Sequence, residues 1–162
     1  MTALSGSYAP STVPWVREEV EQLERVGGPA RRQRPVVVLT SLGARTGHLR
    51  KTPLMRVEHA GTYAAVASMA GADHHPQWYA NLLAHPVVEL RDGEQVHALV
   101  AREATGAERA RWWSRACTAF PSYVDYQSRT RRPIPLLLLE RPGGRDDHVR
   151  AHPLGGGAHS EA

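Results

Sequence analysis

Short runs of β-branched and apolar residues, separated by tight turns, are the feature of this sequence that most limits its fold. Turn sequences such as His59-Ala-Gly61 and Asp92-Gly93 are typical of β-hairpins, whose short connections require antiparallel strands. Strands and helices do not alternate and no GxGxxG motif is present, which argues against a Rossmann fold. The runs lie at about residues 35–40, 49–58, 62–68, 86–91, 94–102 and 134–140. The pattern therefore predicts a mainly β (α+β) protein, a small and partly open barrel of about six mostly antiparallel strands flanked by helices.

Helical patterns occur at the start of the chain and again after the predicted hairpins. Residues 11–27 place valines and a leucine at helical spacing between glutamates, and Ser11 or Thr12 can cap this helix. A short helix is predicted over residues 76–85 and a longer one over 105–119, where the spacing of Thr105 and Glu108 predicts a capping box. Pro121 ends that helix, and a further short helical segment follows it.

The domain organisation follows from these patterns. A chain of 162 residues has the size of one domain. Residues 1–34 are predicted to form an N-terminal amphipathic helix and a basic linker, and residues 35–141 the barrel. Residues 142–162 are rich in glycine and histidine, which predicts a disordered tail.

Charge and composition limit the class of protein. A net charge of +4 favours anionic partners. No signal peptide is evident and no apolar run is long enough to cross a bilayer, so no stable membrane insertion and a cytoplasmic location are predicted. The single cysteine, Cys117, excludes an internal disulfide. Asp73, His74 and His75 lack a second pair of ligands at useful spacing, so no metal site is predicted.

The first group of candidate functional residues surrounds the turn at residues 43–47. Two glycines bracket this turn, and such glycines allow backbone N–H groups to converge on an anion. The three basic side chains Arg45, Arg50 and Lys51 would add positive charge along one rim. A solvated basic hairpin turn is the alternative interpretation.

The second group follows the predicted strand that ends near Ser68. Small residues there permit close approach of a ligand, and the helix that begins at Pro76 offers unpaired N–H groups. Trp78 could wall a flat ring, although it could equally pack the core with Leu82 four residues later.

The third group is a pair of tyrosines on the last predicted helix. Tyr123 and Tyr126 are three residues apart and can therefore face one side of that helix. Their phenols could bind a polar substrate or donate a proton, or the rings could simply pack over one end of the barrel. Three arginines follow and are interpreted as a solvated loop: Arg129, Arg131 and Arg132.

Taken in order, these three groups resemble the deazaflavin-dependent nitroreductase family. The resemblance rests on Leu39-Thr-x-x-Gly-x-Arg-Thr-Gly-x-x-Arg-x-x-Pro-Leu, on Ala67-Ser-x-x-Gly-Ala-x-x-x-Pro-x-Trp-Tyr-x-Asn-Leu, and on Phe120-Pro-Ser-Tyr-x-Asp-Tyr-Gln. It implies a split β-barrel related to flavin mononucleotide-binding oxidoreductases, with residues 35–141 binding the coenzyme. It also implies the deazaflavin coenzyme F-420, which carries a phosphate and an anionic oligoglutamate tail, and hydride transfer to a quinone, an enone or a nitroaromatic compound.

Residue roles are implied by the same resemblance. Tyr123 and Tyr126 would border the small-molecule substrate as candidate catalytic residues. The candidate coenzyme-binding residues are Arg45, Thr46, Arg50, Lys51, Pro53, Ser68, Met69, Ala70, Gly71 and Trp78. Three positions depart from the family pattern: Met69 where lysine is frequent, Thr52 where asparagine is common, and Phe120 where tyrosine is frequent.

Other functions remain open alternatives from the sequence. One keeps the fold and replaces the coenzyme by flavin mononucleotide. A second is a non-catalytic protein that binds the deazaflavin or another small anion. A basic nucleic-acid-binding barrel is a third, but aromatic residues interleaved with lysine or arginine are sparse in the relevant strands, so no nucleic-acid partner is predicted. A homodimer is compatible with a small barrel of this kind.

Overall fold

The computed structural model describes residues 4–26 and 35–143. The strands in this part of the chain are β1 (Val36–Leu42), β2 (Leu49–Met55), β3 (Glu58–His59), β4 (Thr62–Val66), β5 (Val87–Asp92), β6 (Gln95–Glu103) and β7 (Leu136–Glu140). The helices are α1 (Pro14–Val26), α2 (Gln77–Ala84), α3 (Gly106–Ala119) and α4 (Ser122–Ser128), and a single helical turn lies at Met69–Gly71. The predicted linker after α1 and nearly all of the predicted tail lie outside the described residues.

The strands form one curled antiparallel sheet in the order β2-β1-β5-β6-β7-β4-β3. Every pairing between these strands is antiparallel, which confirms the prediction made from the short turns. The described residues contain seven strands rather than six because the predicted 49–58 run is interrupted before the two-residue strand β3. The mainly β fold with flanking helices, a half-barrel, is therefore confirmed.

Two of the strands are apolar on both faces because the sheet is covered on both sides. In β7, Leu137 and Leu139 pack into the inner core, whereas Leu136 and Leu138 pack against α3 and α4 on the outer side. In β1, Val37 and Leu39 face the inner core, while the alternating residues Val36 and Val38 pack against α1. This two-sided burial explains why both segments are continuous apolar runs in the sequence.

Helix α1 packs against the outer face of the barrel. Val20 and Leu23 contact Val36 and Val38 of β1, so the amphipathic pattern predicted for residues 11–27 is satisfied by this contact. The hydroxyl of Ser11 accepts a hydrogen bond from the N–H of Val13 at 3.1 Å, just before the helix begins.

The predicted capping box at the start of α3 is wrong. Thr105 occupies the cap position, but its side chain makes no capping hydrogen bond. The carboxylate of Glu108 instead accepts two hydrogen bonds from Arg102 at 2.6 and 2.8 Å. An ion pair with a neighbouring strand has replaced the local contact that the spacing predicted, because Arg102 on β6 approaches the first turn of the helix.

Candidate active site

The antiparallel order brings all three groups of candidate residues to one end of the barrel. Neighbouring antiparallel strands run in opposite directions, so the end of one strand lies beside the start of the next. This rule aligns the end of β1 with the start of β2, and the ends of β4 and β6 with the start of β7. The 43–48 turn, the 68–72 segment and the connection through α3 and α4 all leave the sheet at that end. Residues far apart in sequence therefore share one surface.

The first group is a compact turn held by backbone and side-chain hydrogen bonds. The N–H of Gly43 donates to the carbonyl of His48 at 2.7 Å, and the hydroxyl of Thr46 accepts from the N–H of His48 at 3.2 Å. The buried Asn81 of α2 accepts a hydrogen bond from the N–H of Ala44 at 2.9 Å. Helix α2 thus fixes the turn from outside it, a role that no local pattern in the helix indicated.

The three basic residues of this group do not lie on one rim. Lys51 faces α1, where its ammonium group is 2.8 Å from the carboxylate of Glu24. Arg50 is the preceding residue of β2 and therefore faces the opposite side of the sheet. Neither Arg50 nor the exposed Arg45 makes a hydrogen bond or ion pair with another residue in the described part of the chain. The structure therefore leaves two cations available at this end and separates Lys51 from them.

Pro53 lies on the same face of β2 as Lys51. Its pairing partner in the sheet is Val38, which packs against α1. Directly paired residues of antiparallel strands share a face. The structure therefore places Pro53 away from the face that carries Arg50.

Ser41 is a polar residue of this region that the sequence interpretation missed. It pairs directly with Arg50 and shares its face of the sheet. Its side chain is 1% exposed, and its hydroxyl has no hydrogen-bond partner among the described residues. Buried polar atoms are nearly always hydrogen-bonded. A buried hydroxyl without a described partner, next to an arginine that also has none, therefore indicates a candidate position for ligand binding. A serine near the end of a strand that begins with four apolar residues was the signal available in the sequence.

The second group forms a turn with left-handed backbone geometry. Met69, Ala70 and Gly71 have φ values of 46°, 53° and 82°. The N–H of Gly71 donates to the carbonyl of Ser68 at 2.9 Å, which closes the turn. The N–H groups of Met69 and Ala70 make no hydrogen bond to any residue between 4 and 26 or between 35 and 143. They are therefore available donors for an anion or a polar ring.

The second and third groups pack directly against each other. A β-carbon at Gly71 would lie 2.8 Å from the carbonyl oxygen of Tyr126 and 3.1 Å from its α-carbon. Only glycine permits this approach. Tyr123 and Tyr126 have ring centroids 6.2 Å apart, as the spacing of three predicted. Tyr126 is half-buried, whereas Tyr123 is 5% exposed and packs among the residues under α3 and α4.

Arg132 contradicts the interpretation of the three late arginines as a solvated loop. Its guanidinium group donates hydrogen bonds to the carbonyls of Ala72 at 2.8 Å, Ser68 at 2.8 Å and Ala67 at 3.2 Å. It also lies 3.0 Å from Nδ1 of His75. The interpretation was wrong because the contacted carbonyls are about sixty residues earlier in the chain, and only the fold brings them to Arg132.

Comparison with known proteins identifies the family to which this architecture belongs. A sequence model of the family described as "F420H(2)-dependent quinone reductase" matches residues 15–141, which include all of the segments just described.

The chain belongs to this family.

Individual relatives of the quinone reductase family agree with the family match. An F420H(2)-dependent quinone reductase of Mycobacterium tuberculosis is 36% identical over 110 residues, which are 66% of this chain and 74% of that protein. A solved F420-H2 dependent reductase (FDR-A) is 47% identical with a TM-score of 0.63 and covers 66% of this chain and 95% of its own. A second solved structure, described as a domain-swapped dimer, is 43% identical with a TM-score of 0.65 and covers 80% of this chain and 100% of its own.

Membership of this family confirms several of the sequence predictions. The protein is an oxidoreductase, its coenzyme is the deazaflavin F-420, and the resemblance to deazaflavin-dependent enzymes was correct. The alternatives of a flavin mononucleotide enzyme and a non-catalytic carrier are set aside by the same match. Within the described residues no helix is long and apolar enough to cross a membrane, and no three histidine, cysteine, aspartate or glutamate side chains there form a group that could hold a metal.

Trp78 lies mainly in the core rather than on the surface of the site. Its side chain is 9% exposed and packs in the inner cluster with Leu82, the partner that helical spacing offered as the alternative interpretation. The next residue, Tyr79, is half-buried, and its hydroxyl donates to the carboxylate of Glu103 at 2.6 Å. Burial and this hydrogen bond raise the pKa of Tyr79 to about 12. Tyr79 is therefore a structural phenol that is already paired.

Burial and side-chain contacts distinguish the two tyrosines of α4. Burial, followed by the proximity of Tyr126, raises the pKa of Tyr123 above that of an ordinary phenol. Tyr123 thus stays neutral and packed between Phe120 and Trp113. The ring of Tyr126 lies 5.7 Å from the guanidinium carbon of Arg129, and its hydroxyl makes no hydrogen bond to a described residue. Tyr126 is accordingly the more accessible of the two phenols.

Proposed function

We propose that this member of the family transfers a hydride from reduced F-420 to a quinone at the end of the barrel that carries Arg45, Arg50 and the left-handed turn. The observation that carries the proposal is the combination of two arginines, Arg45 and Arg50, with a turn in which the N–H groups of Met69 and Ala70 are free, since none of these groups has a partner among the described residues. Such a surface suits a ligand with an anionic tail and a polar ring, because charge-assisted hydrogen bonds to phosphate are among the strongest available to a protein.

The residues present fit the coenzyme that the family uses. Arg45, Thr46 and Arg50 would bind the phosphate and the anionic tail, assisted by the glycine-bracketed turn. Ser68, Met69, Ala70 and Gly71 would bind the coenzyme through the backbone of the left-handed turn. The unpaired hydroxyl of Ser41 beside Arg50 supports this fit. We do not include Lys51, whose charge is compensated by Glu24, and Trp78 and Pro53 would act by shaping the surrounding core.

The chain's own contribution to the reaction is orientation and electrostatics. When bound, the reduced deazaflavin supplies a hydride to an electron-poor acceptor. Tyr126 would border the acceptor and donate a hydrogen bond to its oxygen, which favours the negative charge that develops there. Tyr123 packs beneath Tyr126 and fixes its ring. The proton that completes the reduction comes from Tyr126 or from solvent.

The assignment is tested by a coupled measurement of binding and turnover. Purified protein would be titrated with oxidised F-420 and, in parallel, with flavin mononucleotide, while ring fluorescence is followed. Reoxidation of reduced F-420 would then be measured with quinone, enone and nitroaromatic acceptors. Binding of the deazaflavin with turnover fastest on quinones supports the proposal. Turnover only on enones or nitroaromatics would contradict the quinone assignment, and the absence of F-420 binding would contradict the site.

Replacement of Tyr126 by phenylalanine should lower kcat by roughly 10- to 100-fold, because the hydroxyl that stabilises the developing charge is removed. The dissociation constant for F-420 should remain close to that of the wild type. Steady-state kinetics and fluorescence titration measure the two quantities. Tyr123→Phe is the matched control, since that buried hydroxyl should affect turnover little. Unchanged kcat in Tyr126→Phe would remove Tyr126 from the mechanism.

Replacement of Met69 by lysine should tighten F-420 binding by about threefold to tenfold, because it adds a cation to an exposed position of the turn. Met69 is 48% exposed, so the longer charged side chain meets no packing obstacle. The free-energy cost of a positive φ at this position is the same for methionine and for lysine. Met69→Gln is the control for side-chain polarity without charge. The gain should shrink as salt is added, since the attraction is screened. Equal affinity of the lysine and glutamine variants would contradict a coenzyme phosphate near this position.

Two further properties are proposed for the whole molecule. A homodimer is supported by the domain-swapped dimer described for a 43% identical structure and by exposed apolar side chains before and at the start of α1, Tyr8, Val13 and Trp15. Light scattering during size-exclusion chromatography tests it, and a monomer at micromolar concentration would contradict it. A cytoplasmic location and the absence of a nucleic-acid partner remain predictions from the sequence, testable by fractionation and by oligonucleotide titration.

A further inference from the structure

We infer that Arg132 is a positioning residue for the coenzyme, acting through the Ser68–Ala72 turn rather than by touching the coenzyme itself. The inference rests on the coenzyme site proposed above. Its basis is the set of three backbone carbonyls that one guanidinium group binds, all of them within or directly before that turn.

The turn requires an external partner because its backbone geometry is unfavourable. Met69 and Ala70 both have positive φ values, 46° and 53°, although neither is glycine. In this region the β-carbon of an L-residue approaches the neighbouring carbonyl oxygen, so successive residues rarely adopt it. The turn makes only two closing hydrogen bonds within itself, from Gly71 to Ser68 and from Ala72 to Met69. A strained backbone persists where its surroundings hold it, and here Arg132 provides that support.

The geometry of the peptide group links Arg132 to the N–H of Met69, one of the two turn donors that have no partner among the described residues. The described residues contain no cis peptide bond, so each carbonyl and the N–H of the following residue point in opposite directions. Arg132 binds the carbonyl of Ser68 at 2.8 Å, and this orients the N–H of Met69 away from the guanidinium group. The bond to the carbonyl of Ala67 orients the N–H of Ser68 in the same sense. By holding the carbonyls of Ala67 and Ser68 on one side of the turn, Arg132 orients the N–H groups of Ser68 and Met69 toward the other side.

Arginine is the side chain suited to this position. Its planar group carries five N–H donors in a fixed arrangement and can bind several carbonyls and His75 at once, whereas the single ammonium group of lysine cannot span them. The position of Arg132 is itself fixed, because the amide of Gln127 donates to the carbonyl of Arg132 at 2.9 Å and accepts from the N–H of Ile134 at 3.0 Å. Helix α4 thereby connects the tyrosine pair to the turn.

The first test compares Arg132→Ala and Arg132→Lys with Arg131→Ala. Arg131 is exposed and makes no hydrogen bond or ion pair to a described residue, so it is a matched control for the loss of one charge. We expect Arg132→Ala to weaken F-420 binding by about tenfold or more, a ratio that corresponds to about 1.4 kcal/mol. Arg132→Lys should recover only part of this, and Arg131→Ala should bind nearly as the wild type does. Equal loss in Arg131→Ala and Arg132→Ala would overturn the inference, because it would indicate a general charge effect.

A second variant separates positioning from a general loss of structure. Glycine adopts positive φ without strain, so Ala70→Gly added to Arg132→Ala should restore part of the lost affinity. A merely structural role for Arg132 would leave the double variant as weak as the single one, and that result would overturn the inference. The comparison remains informative if Arg132→Ala melts at a lower temperature, since both variants lack the same arginine.

A third measurement requires no coenzyme and keeps this inference distinct from the proposed function. The chain has 3 methionines, so the methyl resonances of a methionine-labelled sample are few. Arg132→Ala should shift or broaden the Met69 resonance of the coenzyme-free protein and leave that of Met55 unchanged. An unchanged Met69 methyl resonance in Arg132→Ala would overturn the inference even if F-420 binds. If Arg132→Ala shifts the Met69 resonance but the wild-type protein does not bind F-420, the turn is held by Arg132 and the proposed coenzyme site is wrong.

Discussion

Replacing Arg50 by alanine should weaken F-420 binding by about 10- to 100-fold, the range expected when one hydrogen bond to a charged group is lost. Arg50 is half-buried on β2, and its charge is not compensated by another described residue. Alanine should be tolerated at this position of the strand, so the melting temperature should change little. Fluorescence titration with oxidised F-420 and thermal denaturation of the coenzyme-free protein measure the two effects.

The adjacent residue supplies the control for this experiment. Lys51 carries the same charge one position later on the strand but faces α1, where it is paired with Glu24 at 2.8 Å. Lys51→Ala should therefore leave coenzyme affinity nearly unchanged and cost the fold no more than about 1 kcal/mol, as is usual for a partly exposed ion pair. If Lys51→Ala weakened binding as much as Arg50→Ala, the effect would come from net charge rather than from the face of β2. The sequence alone grouped the two residues together.

Replacing Gly71 by alanine should destabilise the protein by about 2–4 kcal/mol, which combines the cost of a positive φ with the cost of overpacking. For a domain of this size that corresponds to a fall in Tm of roughly 5–15 °C. The added β-carbon would lie 2.8 Å from the carbonyl oxygen of Tyr126, a backbone atom that cannot rotate away. Because the 68–72 turn and α4 would be forced apart, F-420 affinity should fall as well. Thermal denaturation and fluorescence titration are the measurements.

Gly61→Ala separates the two causes of this destabilisation. Gly61 has a φ of 83°, nearly equal to the 82° of Gly71, but a β-carbon there would have no atom within 4 Å. Gly61→Ala should therefore lower the free energy of unfolding only by the cost of the positive φ, about 1–2 kcal/mol, and leave coenzyme affinity unchanged. Equal destabilisation by both substitutions would show that packing against α4 contributes nothing, and would contradict a stabilising contact between the turn and Tyr126.

The two-sided burial of β1 and β7 illustrates what local pattern could establish. Runs of valine and leucine bounded by turns predicted strands, and short hairpin turns predicted that they would be antiparallel. The predicted strand bounds were too long at residues 62–68 and 134–140, where β4 ends at Val66 and β7 begins at Leu136. Ala67 and Ile134 remain buried beyond these bounds, and the N–H of Ala67 still donates to the carbonyl of Pro135 at 2.9 Å. The regular ladder ends there because Pro135 has no N–H to donate, and hydrophobicity does not reveal that end.

The sequence by itself determined the class of fold, the antiparallel pairing and the family, because each depends on residue types at fixed short spacing. It also set the order of three motifs that the fold assembles at one end of the barrel. Only the tertiary structure decided which members of those motifs meet. Alternation along β2 places Lys51 and Arg50 on opposite faces of the sheet, and packing places Trp78 in the core. Arg132, which the sequence suggested was a surface charge, binds the carbonyls of the strained turn. These outcomes depend on contacts between residues tens of positions apart, and such contacts are decided by how strands and helices pack, which local spacing does not encode.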